Sequence, residues 1–347
     1  MKHFKLPFLM ATVFCVVFLC ACNSAGSGGT MRTINDSLGR TVPIPNEVNK
    51  VIPSGQLAQI FLLSVCPDKM VAVASNWNDE AMEFLPSSVA DLPCIGQVFG
   101  GKKNFNPESV LSVGADVIID VGDYKDGMEE ELDDIEKQLG IPVIHLDGSL
   151  ENMPESYRIL GSLVGMNDEA ENRAKYCEDM NKKMKELSGA VAKKDALLIT
   201  GEQGLNVIPE GSKQGESFNM FANNLAVVDN PTDKGSGNEV DMEQILSWNP
   251  DVIIFLPDVT PREVFNDGLW QEVNAVKSGA VYGIPHGPYN WLGFPSSVQK
   301  YLGMMWMADL LYPDNTDYDL YEEVKDYYKL FYGYDLSQDK YNELVAR

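Results

Sequence analysis

A twelve-residue segment that occurs twice constrains the fold of this chain more than any other feature. Residues 108–119 read ESVLSVGADVII and residues 243–254 read EQILSWNPDVII, an offset of 135 residues with seven identical positions. Each copy has the pattern of a helix end, a tight turn and a short apolar strand, and such a strand is typical of a parallel sheet buried on both faces. The repeat predicts two α/β lobes with a ligand cleft between them, although helix–turn–strand units also resemble one another within any α/β protein.

The N-terminal residues have the pattern of an export signal. A basic start precedes an uncharged apolar run over residues 8–20, which is short for a transmembrane helix. This run ends in the tetrapeptide Leu-Cys-Ala-Cys, which resembles the bacterial lipobox. We therefore predict cleavage of residues 1–21, lipidation of Cys22 and a flexible tether over residues 22–30. An ordinary secretory signal is the alternative.

The chain of 347 residues is strongly acidic. Its formal net charge is −24, and loss of Lys2 and Lys5 with the signal makes it −26. This charge argues against nucleic acids and anionic lipid surfaces as partners.

Three cysteines follow Cys22, and their number and spacing limit the sites that they can form. Outside the cytoplasm Cys66 and Cys94 can pair, and free buried thiols are an equal alternative for these two and for Cys177. No Cys-x-x-Cys occurs after the signal, which argues against a structural zinc site or a thioredoxin-like site.

A long helical pattern divides the predicted mature chain into two parts. Residues 31–166 form the predicted first lobe, residues 167–189 the linking helix and residues 190–347 the second lobe. Apolar residues recur in the helix at three- and four-residue spacing. About 22 residues at about 1.5 Å each make a rod of roughly 33 Å, which is long enough to join two lobes. A surface helix within one domain is the alternative.

Candidate ligand contacts lie in loops at strand ends, because ligands of open α/β sheets gather beyond the carboxyl ends of the strands. These loops are rich in aromatic residues, whose flat faces suit a bulky ligand with hydrophobic surfaces. Each aromatic residue can also be ordinary core packing. The aromatic candidates are Trp77, Phe99, Tyr124, Tyr289 and Trp291.

Polar candidates accompany the aromatic ones. Basic side chains among them can meet carboxylate or hydroxamate oxygens of a ligand. Only His145 and His286 remain after the signal, so a site built on several histidines is excluded. His145 lies in an apolar strand and is predicted to be structural, whereas His286 can serve as a single axial ligand to a chelated metal. The other polar candidates are Lys102, Lys103, Glu202 and Arg262.

Signatures of catalysis are missing from the predicted lobes. They contain no Gly-x-Ser-x-Gly, no His-Glu-x-x-His and no Walker loop. The abundant carboxylates form no spaced pair that stands out from the acidic background. We therefore predict a binding protein that is not an enzyme and holds no cofactor of its own.

Several motifs in a fixed order resemble those of one family, the periplasmic binding proteins of metal-chelate ABC importers. These importers take up iron–siderophore, haem or cobalamin. The resemblance covers nearly the whole mature chain and implies two Rossmann-like α/β lobes joined by a single long helix, with limited hinge motion. The motifs are D-x-x-G-R-x-V-x-I-P over 36–45, NPESVL over 106–111 with DVII over 116–119, WNPDVII over 248–254, YNW over 289–291 with PSSV over 295–298, and L-G-x-x-W over 302–306.

The resemblance implies a function for the chain. A monomeric receptor, lipid-anchored on the outer face of the cytoplasmic membrane, would bind a metal chelate between its lobes and deliver it to an ABC permease and its ATPase. The few basic residues in the loops favour a neutral or weakly charged chelate such as a corrinoid. A metallocofactor enzyme on the same fold is one alternative, and a surface lipoprotein that binds a protein or glycan is another.

The resemblance also implies an acidic residue on each lobe that docks onto the permease. Glu216 holds the expected position in the second lobe, whereas Gln59 holds it in the first. This departure puts symmetric docking in doubt, and Glu80 or Glu83 is a candidate substitute.

Overall fold

The computed structural model describes most of the chain, in four stretches: residues 30–99, 104–266, 268–293 and 295–346. The predictions made for residues 1–29, which include Cys22, and for Lys102 and Lys103 fall outside the described residues.

Short strands alternate with helices along the chain. The strands are β1 Met31–Asn35, β2 Thr41–Pro45, β3 Val51–Pro53, β4 Val117–Gly122, β5 Val143–Asp147, β6 Lys194–Thr200, β7 Asn206–Val207, β8 Ala222–Asn224, β9 Asn238–Glu239, β10 Val252–Phe255 and β11 Val281–Gly283. The α-helices are α1 Gln56–Val65, α2 Asp79–Met82, α3 Ser87–Ala90, α4 Pro107–Ser112, α5 Met128–Leu139, α6 Met153–Val164, α7 Asn167–Ala190, α8 Glu216–Phe221, α9 Met242–Trp248, α10 Asn274–Ser278, α11 Lys300–Leu311, α12 Leu320–Tyr332 and α13 Gln338–Val345. Short 3-10 helices lie at Pro67–Lys69, Lys213–Gly215, Arg262–Asn266, Gly268–Glu272 and Pro313–Asn315.

Two separate sheets form the centres of two lobes. In the first lobe β3, β4 and β5 are parallel, with β4 in the middle and Asp120 opposite His145. In the second lobe β11, β10 and β6 are parallel, β8 also pairs with β6 in parallel, and β7 and β9 extend the sheet antiparallel. The strands β4 and β10 are almost completely buried, as is typical of parallel strands that are covered on both faces.

The repeated segment supplies the central strand of each lobe. Its first copy is α4, a turn at Gly114 with φ of 63° and then β4. Its second copy is α9, a turn at Asn249 with φ of 44° and then β10. Glycine and asparagine adopt this left-handed conformation most readily. The two copies are therefore equivalent helix–turn–strand units, as the sequence predicted.

The long helix predicted over residues 167–189 is present as α7, with 24 residues. Its buried face carries the apolar positions expected from the spacing, among them Ala170, Cys177 and Met184. It begins directly after α6, and the two helices lie close together because Gly161 has no side chain. A Cβ at Gly161 would lie only 2.5 Å from Cβ of Ala170.

The C-terminal helices return to the first lobe. α12 packs against α1, and the ring of Phe84 lies 5.5 Å from that of Tyr328 and 4.9 Å from that of Tyr334. Lys340 of α13 forms an ion pair with Glu83 at 2.6 Å. One hydrophobic core thus continues from the first lobe through α7 and α12 into the second, and residues 190–347 do not pack within the second lobe alone.

The described residues also bear on the membrane and the cysteines. No helix in these stretches combines the length and the apolar character needed to cross a bilayer.

Cys66 and Cys177 are buried free thiols and Cys94 is an exposed one. The alternative in which Cys66 pairs with Cys94 is not found.

Candidate functional site

A cleft of about 1020 Å³ lies between the two lobes. It is lined by the residues that follow β3 and β4 in the first lobe and those that follow β6 and β10 in the second. These are the carboxyl ends of parallel strands, where the sequence placed the ligand. Both lobes contribute to one cavity, so a bound ligand would contact both.

A buried carboxylate marks the floor of the cleft. Asp120 at the end of β4 is only 4% exposed. Its Oδ1 accepts a hydrogen bond from the hydroxyl of Ser54, which follows β3, and its Oδ2 lies 2.7 Å from Nδ1 of His145 in β5. The aspartate stands between the serine and the histidine, so His145 cannot take the proton of Ser54 as in a hydrolytic triad. The arrangement orients Ser54 and supplies no nucleophile.

Apolar groups form part of the walls. Phe99 is held at the rim because its backbone N–H donates to the carbonyl of Ser54 at 3.2 Å. Tyr124, in the loop after β4, is 53% exposed and lines the same cleft. Val259, in the turn after β10, offers an exposed apolar surface from the second lobe. Two of the five predicted aromatic residues are therefore in the cleft.

The other three aromatic residues do not line the cleft. Trp291 is fully buried at 0% exposure, and its indole N–H points to the carbonyl of Gly287 at 3.4 Å. Burial raises the pKa of Tyr289 above its ordinary value. The indole N–H of Trp77 donates to the carbonyl of Val89 at 2.9 Å, within the first lobe. The loop after β11 turns inward against α11 and α12, and so its aromatic residues pack into the core.

His286 lies between two carboxylates, outside the cleft. Its Nδ1 lies 2.8 Å from Oε2 of Glu80, at ion-pair distance although not in hydrogen-bonding alignment, and its Nε2 lies 3.2 Å from Oδ2 of Asp258. Both ring nitrogens thus face carboxylates, and the residue does not line the cleft. This geometry does not favour His286 as an axial ligand, and that role stays a prediction. Within the described stretches no group of three or more His, Cys, Asp or Glu side chains could hold a metal ion.

The remaining polar candidates divide between the cleft and other surfaces. Glu202, which follows β6, lines the cleft. Arg262 does not, because its guanidinium lies 5.0 Å from the ring centre of Phe255 and donates to the carbonyl of Val281 at 3.0 Å. These contacts hold it against the far side of the second sheet.

Acidic groups outnumber basic ones among the described residues of the cleft. Lys213 of the second lobe lies 3.7 Å from Asp123 of the first and so bridges the rim. The loop at Ser54 was expected at the ligand site from its position after a strand, whereas Asp120 and Lys213 were not singled out as site residues. The available signal for Asp120 was its position near the carboxyl end of β4. Lys213 lies in a 3-10 helix away from the strand ends, so no such signal in the sequence pointed to it. The acidic residues of the cleft are Asp120, Asp123, Glu202 and Asp233, and the basic ones are Lys125 and Lys213.

The two candidate docking residues have partners inside the protein. Gln59 is buried, and its side-chain oxygen accepts hydrogen bonds from the backbone N–H groups of Ala74 at 2.8 Å and Ser75 at 3.1 Å. It supports that loop from inside the protein, so its position does not favour docking through Gln59, which stays a prediction. Glu216 forms an ion pair with Lys300 at 2.8 Å and keeps 34% of its side chain exposed.

Comparisons with known proteins agree with this geometry. The chain is 26% identical over 329 residues to the molybdate-binding protein MolA of Haemophilus influenzae, with 87% of this chain and 91% of the relative covered. It is 25% identical over 246 residues to the high-affinity heme uptake system protein IsdE of Staphylococcus aureus, with 66% and 78% covered.

A solved structure shows the same fold. The ABC transporter solute binding protein from Sulfurospirillum deleyianum DSM 6946 superposes with a TM-score of 0.83 at 24% identity, covering 91% of this chain and 99% of that one. The predicted fold of two α/β lobes in a periplasmic binding protein is thereby confirmed. The sequence pattern of the family described as "Periplasmic binding protein" matches residues 57–287. The chain therefore belongs to the periplasmic binding protein family, as the extracytoplasmic solute-binding component of an ABC transporter that binds a small ligand, and it is not an enzyme.

Proposed function

We propose that this protein captures a metal chelate in the cleft between its lobes and delivers it to the permease and ATPase of an ABC importer. The observation that carries the proposal is the cleft of about 1020 Å³ at the carboxyl ends of the parallel strands, to which both lobes contribute. Pockets for ligands of drug size range over about 300–1,000 Å³. The cleft therefore suits a chelate of that size or larger better than a single small ion.

The charge of the described residues in the cleft supports a neutral or cationic chelate. Carboxylates stand on both walls, with Asp120 on the floor and Glu202 opposite. A ligand with several free carboxylates would meet repulsion there that Lys125 and Lys213 only partly offset. Hydroxamate-type ferric complexes and corrinoids carry little or no negative charge, so they fit this surface better.

The side chains in the cleft that could coordinate a metal favour a chelate whose metal is already fully coordinated. The described residues that line the cleft include neither histidine nor cysteine. Haem takes its axial ligand from histidine, cysteine, methionine or tyrosine, and of these the cleft offers only Met128 and Tyr124 among its described residues. A ferric siderophore or a corrinoid needs no ligand from the protein, and we rank both above haem.

An oxyanion such as molybdate is the second candidate. It is supported by the likeness to MolA and by the start of α1 at the floor of the cleft, because helix N-termini favour anions. Asp120 places a carboxylate beside that helix start. Since this charge opposes an oxyanion, the chelate remains the first candidate.

We further propose that Cys22 carries a lipid that anchors the protein. Mass spectrometry of the mature protein should show an N-terminal diacylglyceryl cysteine, and Cys22→Ser should move the protein from the membrane fraction to the soluble fraction. An unmodified N-terminus elsewhere in the chain would refute the anchor without affecting the ligand proposal.

Isothermal titration calorimetry tests the ligand. The panel contains ferric hydroxamate siderophores, cobalamins, haem and sodium molybdate. We expect one chelate to bind with a Kd below about 10 μM, or roughly −7 kcal/mol, and molybdate not to bind. Binding of molybdate alone would favour the second candidate, and binding of none would refute import of a metal chelate.

A matched pair of variants tests the location of the ligand. Val259 is 43% exposed inside the cleft, and Val227 is 71% exposed outside it. Val259→Arg should weaken chelate binding at least tenfold because the long side chain occupies the cleft, whereas Val227→Arg should leave the Kd unchanged. Equal affinities of both variants would place the ligand elsewhere.

A further inference from the structure

A buried lysine joins the two lobes on the side of the cleft next to α7. Lys300 begins α11 of the second lobe and is only 3% exposed. Its ammonium lies 2.8 Å from Oε2 of Glu216, which begins α8 in the same lobe. The same ammonium lies 3.4 Å from the carbonyl oxygen of Gly148, which follows β5 in the first lobe. One charged group thus spans the junction.

The segment around Gly148 is held from two further directions. The backbone N–H of Leu150 donates to Oε1 of Glu216 at 3.4 Å. Asn181 of the linking helix α7 donates from its side-chain amide to the carbonyl of Leu150 at 2.6 Å. Both lobes and the helix between them therefore meet at this short segment.

We propose that Lys300 and Glu216 act as a latch that holds the lobes at one angle and so sets the width of the cleft. Any rotation that separates the lobes here must break the contacts of Lys300 with Gly148 and of Glu216 with Leu150. Both contacts involve charged side chains, and hydrogen bonds to charged groups are stronger than those between neutral groups. The effect that the latch would have on the rate of ligand release rests on the proposed function, whereas the latch itself does not.

The latch differs from the ion pair at the rim of the cleft. The pair of Lys213 with Asp123 is 3.7 Å long, and both side chains are partly open to water. Such a pair contributes little to the lobe angle. Lys300 is shielded from water, so its partners cannot be replaced by solvent without movement of the chain.

Distances between spin labels on the two lobes test the latch in the protein without ligand. Cys94→Ser removes the exposed thiol, and labels on cysteines introduced at Glu130 and Glu243 report on α5 and α9, whose residues there are exposed. We expect Lys300→Met and Glu216→Gln each to broaden the distance distribution and to shift its mean. Lys277→Met, which removes an exposed pair with Glu272 within the second lobe, should leave it unchanged.

The outcomes separate the latch from the proposed function. The latch would be overturned if Lys300→Met and Glu216→Gln gave the same distance distribution as the parent protein. Two variants are used so that the test still works if one of them fails to fold. When a chelate binds, the latch predicts that Glu216→Gln releases it at least fivefold faster. If these variants shift the lobe distance while no chelate of the panel binds to the parent protein, the latch is supported and the import of chelates is refuted.

Discussion

Removing Glu216 should destabilise the protein more than removing its ion-pair partner Lys300. The asymmetry follows from exposure, since Lys300 is 3% exposed while the Glu216 side chain is 34% exposed. In Glu216→Ala the buried ammonium keeps only the carbonyl of Gly148, at 3.4 Å. In Lys300→Met the carboxylate can still be hydrated and still accepts from Leu150.

The magnitudes follow from this difference in solvation. Loss of one partner from a buried ion pair costs about 3–5 kcal/mol when the remaining charge is uncompensated. We expect about 3 kcal/mol for Glu216→Ala and about 1 kcal/mol for Lys300→Met, whose apolar side chain fits the buried site. With an unfolding entropy of about 2.1 cal/mol/K per residue over about 310 residues, these values correspond to Tm decreases of about 5 °C and about 1.5 °C.

Differential scanning calorimetry and urea unfolding at pH 7 measure the two single variants and the double variant as a cycle. The double variant should be more stable than Glu216→Ala by about 2 kcal/mol, because it no longer buries an unpaired charge. Lys277→Met serves as the control and should change the free energy of unfolding by less than about 0.5 kcal/mol. The reasoning would be refuted if Lys300→Met lost as much free energy of unfolding as Glu216→Ala. It would also be refuted if the double variant were no more stable than Glu216→Ala.

Three further predictions concern the core. Burial raises the pKa of Cys66 and of Cys177 to about 12, so at pH 8 iodoacetamide should label Cys94 in the native protein and the other two only in urea, as read by peptide mass spectrometry. Gly303→Ala places a Cβ about 2.5 Å from a carbonyl oxygen of the loop after β11 and should lower the Tm by several degrees, and a Tm equal to that of the parent would contradict this packing. Gln59→Leu leaves the buried backbone N–H of Ala74 and the partly buried one of Ser75 unpaired and should lower the free energy of unfolding in urea by about 2 kcal/mol, whereas a neutral effect would show that water replaces the amide.

The scaffold could be predicted from the sequence because its signals are local. Residues 108–119 and 243–254 carry their helix, turn and strand within twelve positions, and each became the central strand of a sheet with its preceding helix. The spacing of the apolar residues in α7 is likewise a local signal, because it reflects the buried face of a single helix. Strand ends then located the cleft, since parallel strands direct their carboxyl ends to one edge.

The side chains that line the cleft were less predictable, because the direction in which a side chain points depends on contacts with residues far away in the sequence. Trp291 and Tyr289 follow a strand, as a ligand-binding residue would, but the loop turns toward α12, which begins about 30 residues later. Gln59 occupies a position expected to be exposed, yet it supports the loop at Ala74. Asp120 was hidden in an otherwise apolar strand, and its partner His145 is 25 residues away.

The return of the C-terminal helices to the first lobe affects how the chain can be divided. Phe84 and α1 pack against α12, and Glu83 against Lys340, so the first lobe is completed by the last residues of the chain. A fragment ending at residue 166 would expose the apolar face that α12 covers. We infer that the two lobes unfold as one cooperative unit and that neither is an independent domain, although each has its own sheet. During synthesis the first lobe must therefore remain incomplete until the final helices have emerged.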